Sequence, residues 1–177
     1  AGGGTKETVL RVSDSYFPSD PQTSKLQQAF VNIATAKVAT SAHEAYNQWI
    51  LKEGRDLIIV NKDRVIAEAK KEVLRMAELG YTRPIEKQIT ALGRTALGGL
   101  YAGSYAFKLG HYASDHDRLI ADKLAYVMAG GDLTGVQKVS EQYMLDLERQ
   151  AFLSLLGEKK TLERIQSIVT KGKPLRN

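Results

Sequence analysis

Cysteine is absent from the 177 residues, so the chain has no disulfide, no thiol nucleophile and no thiolate ligand for a metal. Long apolar runs are also missing, and none approaches the roughly 20 residues that a helix needs to cross a bilayer. The chain shows no signal peptide and does not begin with Met. We therefore expect a cytoplasmic protein without a membrane span.

Motifs for common cofactors are missing as well. No Gly-x-Gly-x-x-Gly follows an apolar strand, so the chain contains no Rossmann unit for NAD. Lys6 follows Thr5, whereas a P-loop needs Lys before Ser or Thr. The residues that carry metal-ligand chemistry near one another are His111, Asp115, His116 and Asp117. Because Ser114 as a helix cap explains most of this cluster, we expect no metal site.

The length and composition indicate a folded chain of ordinary domain size. A hydrophobic content of 43% excludes a disordered tail. The formal net charge of +5 is compatible with an anionic ligand, with nucleic acid or with a plain solvated surface. Basic residues are interleaved with acidic ones along the chain, which argues against nucleic acid.

Hydrophobic periodicity and capping residues predict a mainly α protein with at most one or two short strands. A β-branched run predicts a strand at 56–60, and residues 88–92 are a second extended candidate. Gly98, Gly99 and Gly103 lie inside one predicted helix, where we interpret them as sites of tight helix packing or, alternatively, of a ligand groove. The predicted helices span 21–37, 41–54, 61–79, 94–113, 114–130, 140–156 and 161–171, and Ser41 is the predicted N-cap of the second.

The clearest pattern of helix caps and apolar periodicity lies in the stretch from Val139 to Asn177. Ser140 is a good N-cap, Gly157 is expected to close the helix in the left-handed conformation, and Gly172 with Pro174 ends a second helix. We predict that the first of these helices is buried on two sides and that one side contacts another subunit. Alternatively, the rest of the chain covers both sides. One stripe consists of Tyr143, Leu147, Ala151 and Leu155, and the other of Leu145, Phe152 and Leu156.

Glycines dominate the other end of the chain. The backbone N–H groups of Gly2, Gly3 and Gly4, placed before a helix, can approach an anion or a developing negative charge. An ordinary flexible tail is the alternative.

Both ends resemble the crotonase (enoyl-CoA hydratase/isomerase) superfamily. Leu147-Glu148 with Phe152, followed by Lys171-Gly172-Lys173-Pro174, is similar to its C-terminal helices and basic tail. Gly3-Gly4-Thr5 with Val9-Leu10 is similar to its glycine turn, entered part-way. The tail looks closer to a subgroup in which a crotonase-like region follows an NAD-dependent 3-hydroxyacyl-CoA dehydrogenase. The chain departs from the family pattern at Glu163-Arg164, where the family has Glu-Gly, and at Leu175, where it has Phe.

The resemblance implies that the chain is a fragment, the C-terminal helical portion of a crotonase-like fold. Residues 1–60 would be the tail end of the crotonase-like core and 61–177 the C-terminal helical region. The parent would oxidise 3-hydroxyacyl-CoA to 3-oxoacyl-CoA with NAD in fatty-acid β-oxidation, with or without hydration of enoyl-CoA as a second activity. The hydratase glutamates and the NAD domain would lie outside the chain.

Scaffolding and assembly into a homo-oligomer are therefore the expected roles of the chain itself, without catalytic residues, a metal or a bound cofactor. Weak binding of acyl-CoA or coenzyme A is expected at Gly2, Gly3, Gly4, Lys171 and Lys173. The alternative is a non-enzymatic helical interaction module that binds an acidic partner.

Overall fold

The computed structural model describes residues 2–177, which form eight α-helices and one two-stranded antiparallel sheet. The prediction of a mainly α protein with at most two short strands is confirmed. None of the helices in the described part is long and apolar enough to cross a membrane. The elements are α1 (Gly4–Asp14), α2 (Gln22–Ala34), α3 (Ala42–Asn47), a 3-10 turn (Lys62–Arg64), α4 (Val65–Leu79), β1 (Gln88–Ala91), α5 (Gly93–Leu109), α6 (Asp115–Ala129), β2 (Gln137–Ser140), α7 (Glu141–Leu156) and α8 (Lys159–Lys171).

The chain forms two compact units. The first contains the described residues up to Val38 together with Lys87–Asn177, and the second contains Ala39–Glu86. The region boundary expected at residue 60 falls inside the second unit and stays a prediction about the longer protein.

Helix α1 lies at the centre of the first unit, where it packs against α2, α6, α7 and β1. Val9 and Val12 are one helical turn apart on its inner face, and both are almost completely buried. Their burial explains why this helix holds its position although it begins with glycines. The other fully buried large side chains of this core are Leu26, Ile89, Leu100, Met128 and Met144.

The sheet of the first unit joins distant parts of the chain. Ile89 of β1 pairs with Val139 of β2 in an antiparallel register, and Ile89 is fully buried. The extended segment expected at 88–92 is confirmed. Strand β2 was not predicted because Gln-Lys-Val-Ser has no clear alternation of apolar and polar residues. The pairing leads directly into α7, which Ser140 caps by accepting a hydrogen bond from the Tyr143 N–H at 3.1 Å.

Helices α5 and α6 pack against each other and are joined by a short connector, and α6 begins with a capping box formed by Ser114 and Asp117. The interpretation of the α5 glycines as tight packing sites is wrong for two of them. A Cβ added at Gly98 or Gly103 would meet no atom within 4 Å, whereas one at Gly99 would lie 3.2 Å from Gln27 Nε2.

The second unit contains α3, the 3-10 turn and α4. Ser41 caps α3 by accepting a hydrogen bond from the Glu44 N–H, as predicted. The strand predicted at 56–60 is wrong. Asp56 instead closes a turn, with its carboxylate accepting the Lys52 N–H at 2.7 Å and its carbonyl accepting the Tyr46 hydroxyl at 2.6 Å. A β-branched run forms a strand only where another strand satisfies its backbone groups, and the described part of this unit contains none.

Several helix ends differ from those expected. Helix α3 ends at Asn47 rather than near Gly54, since Trp49 adopts a left-handed conformation with φ of 57°. Helix α5 ends at Leu109, two residues before the left-handed His111. Gly157 has a φ of −74°, so the left-handed closure predicted there is wrong, whereas Gly172 does end α8 with a φ of 63°.

Candidate functional site: the glycine turn and the basic tail

The glycine turn is the N-terminus of α1. Gly3 is the N-cap residue and has a φ of 89°, a conformation that side chains with a Cβ rarely adopt. A Cβ on Gly3 would also lie 3.3 Å from Leu145 Cδ2. Gly2 and Gly4 have open space where their Cβ would stand. Of the three glycines predicted to bind substrate, Gly3 is therefore the one whose backbone requires glycine.

The carboxylate of Glu148 occupies this turn. Its Oε1 accepts a hydrogen bond from the Gly3 N–H, and its Oε2 accepts one from the Lys6 N–H, both at 3.1 Å. Glu148 is only 6% exposed, on the third turn of α7. It takes the place of the side-chain cap that glycine cannot provide, and its negative charge lies at the positive end of the α1 dipole.

This contact limits what the glycine turn can bind. The N–H groups of Gly3 and Lys6 already have an acceptor, while no described residue accepts a hydrogen bond from the N–H of Gly4 or Thr5. A ligand oxygen at the turn would share it with the Glu148 carboxylate, which would repel an anion. The structure leaves open space where a Cβ would stand at Gly2 and Gly4.

Charged side chains next to the turn balance one another. Lys6 Nζ lies 2.8 Å from Glu141 and 3.2 Å from Glu7, and Arg11 Nε lies 2.8 Å from Glu7. Burial by itself would raise the pKa of Glu7, but the hydrogen bonds from Arg11 and Lys6 outweigh it, so this pKa is lowered. The hydrogen bond from Lys6 and that from the Lys87 backbone lower the pKa of Glu141. Both carboxylates are thus held as anions, and the site has no surplus of positive charge for a phosphate.

The two predicted tail lysines lie elsewhere. Lys171 is the last residue of α8, and Lys173 follows the left-handed Gly172. No acidic group of the described residues forms an ion pair with either lysine. Lys171 borders a groove of about 270 Å³, lined also by Glu163, Gln166, Ser167, Thr170 and Leu175. None of the three predicted glycines lines this groove.

A polar cluster fixes the tail beside this groove. Arg164 of α8 contacts Asp117 of α6 at 2.7 Å and also donates to the Asn177 side chain at 2.8 Å. Asn177 in turn donates to Glu163 at 2.7 Å, and Ser114 donates to the Asn177 carbonyl at 3.1 Å. The sequence pattern departs from the crotonase family at Glu163-Arg164, and in this chain these two side chains tie α6, α8 and the tail together.

The His and Asp cluster at the start of α6 is similarly occupied. His116 is 4% exposed, and its Nε2 lies 3.0 Å from Thr161 Oγ1. Burial lowers the pKa of His116, and the positive charges of Arg164 and Lys160 lower it further. Asp115 pairs with Lys108, while Asp117 completes the capping box. Among the described residues, no three His, Asp or Glu side chains converge in a way that could hold a metal ion.

Helix α7 is buried along a slightly different line from the one predicted. Met144, Leu147 and Glu148 are the buried residues, whereas Tyr143, Ala151 and Leu155 of the expected main stripe are half-buried. Phe152 of the second stripe is 38% exposed. The burial of Glu148, a charged residue, was not predicted from the sequence. The signal that could have found it is its position four residues after the apolar Met144, since residues four apart lie on the same side of a helix.

Comparison with known proteins gives one informative match. The chain is 42% identical over 176 residues to a protein of Bacillus subtilis (strain 168) named "Probable 3-hydroxyacyl-CoA dehydrogenase". The match covers 99% of this chain and 22% of that protein. The chain is similar to part of a much longer protein.

That similarity supports the dehydrogenase half of the expectation from sequence. The relative's name concerns 3-hydroxyacyl-CoA dehydrogenation and does not speak to a crotonase-like region or to hydration. No protein family matches the chain. No solved structure matches it either.

Proposed function

We propose that this chain is the C-terminal, largely helical portion of the crotonase-like region of a longer 3-hydroxyacyl-CoA dehydrogenase. The observation that carries the proposal is the 42% identity to the Bacillus subtilis protein over 99% of the chain. The mainly helical fold and the helix pair α7–α8 agree with the helical C-terminal region that the crotonase resemblance implies. The parent would act in fatty-acid β-oxidation.

NAD does not fit the residues present here. A dinucleotide site of the Rossmann type needs parallel strands and a glycine turn that leads from a strand into a helix. The described residues contain a single antiparallel strand pair, and Glu148 occupies the turn at α1. We therefore assign NAD binding, and the oxidation of 3-hydroxyacyl-CoA to 3-oxoacyl-CoA, to another part of the parent.

Scaffolding is the role that we propose for the chain itself. In the first unit the glycine turn serves as a joint between α1 and α7, because the Glu148 carboxylate links the two helices through two hydrogen bonds. The neighbouring lysine and glutamates form ion pairs with one another rather than presenting a free acid or base. This arrangement supports a structural role and provides no catalytic dyad.

Coenzyme A contact is a weaker part of the proposal, and it rests on Lys171 and Lys173. Their ammonium groups have no ionic partner among the described residues, so they can meet a phosphate. Isothermal titration with coenzyme A tests this, with a Lys171→Ala, Lys173→Ala double variant. The matched control is Lys159→Ala, Lys160→Ala, which removes the same charge from the other end of α8. Binding that survives the first change and fails with the second would reject the tail lysines.

Subunit contact through Phe152 also remains a proposal. Its 38% exposure, beside the half-buried Leu145 and Leu156, fits a surface that another copy covers. Sedimentation velocity of the wild type and of Phe152→Glu tests it. A folded but smaller Phe152→Glu species is expected, and a monomeric wild type would reject the contact. The alternative of a module for acidic partners gains no support at α4, where Arg64, just before the helix, and Arg75 are paired with Glu68 and Glu72.

The activity experiment uses both the longer protein and the isolated chain. We expect the longer protein to reduce NAD in the presence of 3-hydroxybutyryl-CoA, whereas the chain alone should give only the uncatalysed background. Crotonyl-CoA tests hydration in the same two preparations. An inactive longer protein would refute the assignment as a dehydrogenase. Turnover by the isolated chain that survives repurification would refute its structural role.

A further inference from the structure

Helix α4 of the second unit has no buried residue along its 15 residues. Its apolar side chains nevertheless recur every three or four positions, so they share one side of the helix. Ile66 is 84% exposed, Val73 64% and Met76 59%. We call this side the α4 apolar face, and it consists of Val65, Ile66, Ala69, Val73, Met76 and Ala77.

The opposite side of α4 carries charged residues of the kind that face solvent. Glu68 forms ion pairs with Arg64 at 2.7 Å and with Lys71 at 3.0 Å, and Glu72 pairs with Arg75. Charged pairs at these spacings are typical of the solvent side of a helix. One side of α4 therefore carries charged residues that are paired with one another, whereas the opposite side is apolar and is not buried by other residues.

An apolar side that is exposed to water leaves a helix with little stabilisation. A helix of about 15 residues is only marginally stable in water by itself, and in proteins most of its stability comes from packing of the apolar side. Apolar side chains are also exposed at the end of the helix and after it, at Leu79, Tyr81 and Ile85. An exposed apolar surface of this extent marks a contact with another polypeptide segment.

We propose that the α4 apolar face is covered by polypeptide of the same longer protein that lies outside residues 1–177. This inference rests on the proposed function. More than three quarters of the Bacillus subtilis relative lies outside the match, so ample chain exists to supply the cover. The face itself carries no charged residue, which fits a core-type contact within one protein better than contact with an acidic partner.

The absence of cysteine makes a labelling experiment direct. Val73→Cys places a thiol on the α4 apolar face, and Glu78→Cys places one on the charged side of the same helix as the matched control. Each variant is made in the isolated chain and in the longer protein, whose own cysteines are replaced. Circular dichroism confirms folding, and the rate of maleimide modification is then measured for all four proteins.

We expect Val73→Cys to react at least about tenfold more slowly in the longer protein than in the isolated chain, because opening of a packed contact is rare. Glu78→Cys should react at similar rates in both. Equal rates for Val73→Cys in the two proteins would overturn the inference. So would slow labelling already in the isolated chain, since the cover would then come from this chain or, if sedimentation shows a dimer, from a second copy.

Failure of the proposed function gives a different result. A longer protein that protects Val73→Cys but does not oxidise 3-hydroxyacyl-CoA would leave the inference standing and reject the dehydrogenase assignment. A reading frame that contains no more than this chain would remove the proposed occupant and reject both.

Discussion

Helices α7 and α4 have nearly the same length, 16 and 15 residues. Their surroundings differ completely. Helix α7 packs against α1, α6 and α8 and buries Met144, Leu147 and Glu148, whereas α4 buries nothing. An amphipathic pattern thus predicts that a helix has an inner side. It does not say whether the polypeptide in hand supplies the cover.

The largest expected difference between these helices comes from one substitution made in both. Met144→Ala removes a fully buried side chain from α7, which should lower the free energy of unfolding by about 2–5 kcal/mol. Met76→Ala removes a side chain that is 59% exposed on α4, and it should change that free energy by less than about 0.5 kcal/mol.

Urea unfolding of the isolated chain measures both effects. Far-ultraviolet circular dichroism follows all helices, while fluorescence of Trp49, the single tryptophan, reports on the second unit. If Met76→Ala destabilises the chain as much as Met144→Ala, the α4 apolar face is already covered and the contrast between the helices is wrong.

Removing the buried carboxylate should have the next largest effect. Glu148→Ala leaves the N–H groups of Gly3 and Lys6 without an acceptor, and each hydrogen bond to a charged group is worth about 1.5–3 kcal/mol. We expect a loss of roughly that size, and a smaller loss for Glu148→Gln, which keeps one acceptor oxygen. Hydrogen exchange of the Gly3 and Lys6 amides, measured by nuclear magnetic resonance, should accelerate. A Glu148→Ala variant with unchanged stability and unchanged exchange would contradict the capping role.

Lowering the pH should have the smallest effect on the free energy of unfolding, and it should act through His116. The lowered pKa of His116 means that the folded state binds a proton less readily than the unfolded state, whose histidine titrates near pH 6.5. Stability is therefore greatest above about pH 6.5 and decreases as the pH falls toward the folded pKa. The carboxylates with lowered pKa, among them Asp117 and Glu141, lose their contribution only at lower pH.

The measurement is urea unfolding between about pH 7 and pH 5, in the wild type and in His116→Gln. The variant should lose the part of the pH dependence that His116 contributes in this interval. A wild type whose stability stays flat, or rises, as the pH falls from about 6.5 would show that His116 is not held in its neutral form.

Local signals in the sequence identified most of the helices. Ser41, Ser114 and Ser140 cap the helices that they were predicted to cap, because a side-chain cap depends on residues three positions apart. The helix ends were less accurate where a residue other than glycine adopts a left-handed conformation, as Trp49 and His111 do. Such conformations are set by tertiary contacts, which a single sequence does not display.

The candidate site was harder to predict for the same reason. The glycines at 2–4 indicated exposed N–H groups, yet the acceptor of the Gly3 N–H lies 145 residues away along the chain. Strand β2 is a similar case, since its partner β1 is separated from it by α5 and α6. Interactions of this kind depend on how elements pack. The prediction of mainly α structure depends only on local pattern and was confirmed.

The long separation between Gly3 and Glu148 has a consequence for the order in which the protein is made. Helix α1 is synthesised before α7, and its capping carboxylate follows 145 residues later. At a typical rate of about 5–20 residues per second, α1 waits roughly 7–30 seconds before its cap exists. Throughout that time its first turn has water as the acceptor for its N–H groups, and its apolar side lacks α7. The first unit therefore closes late, when the last quarter of these residues has emerged from the ribosome.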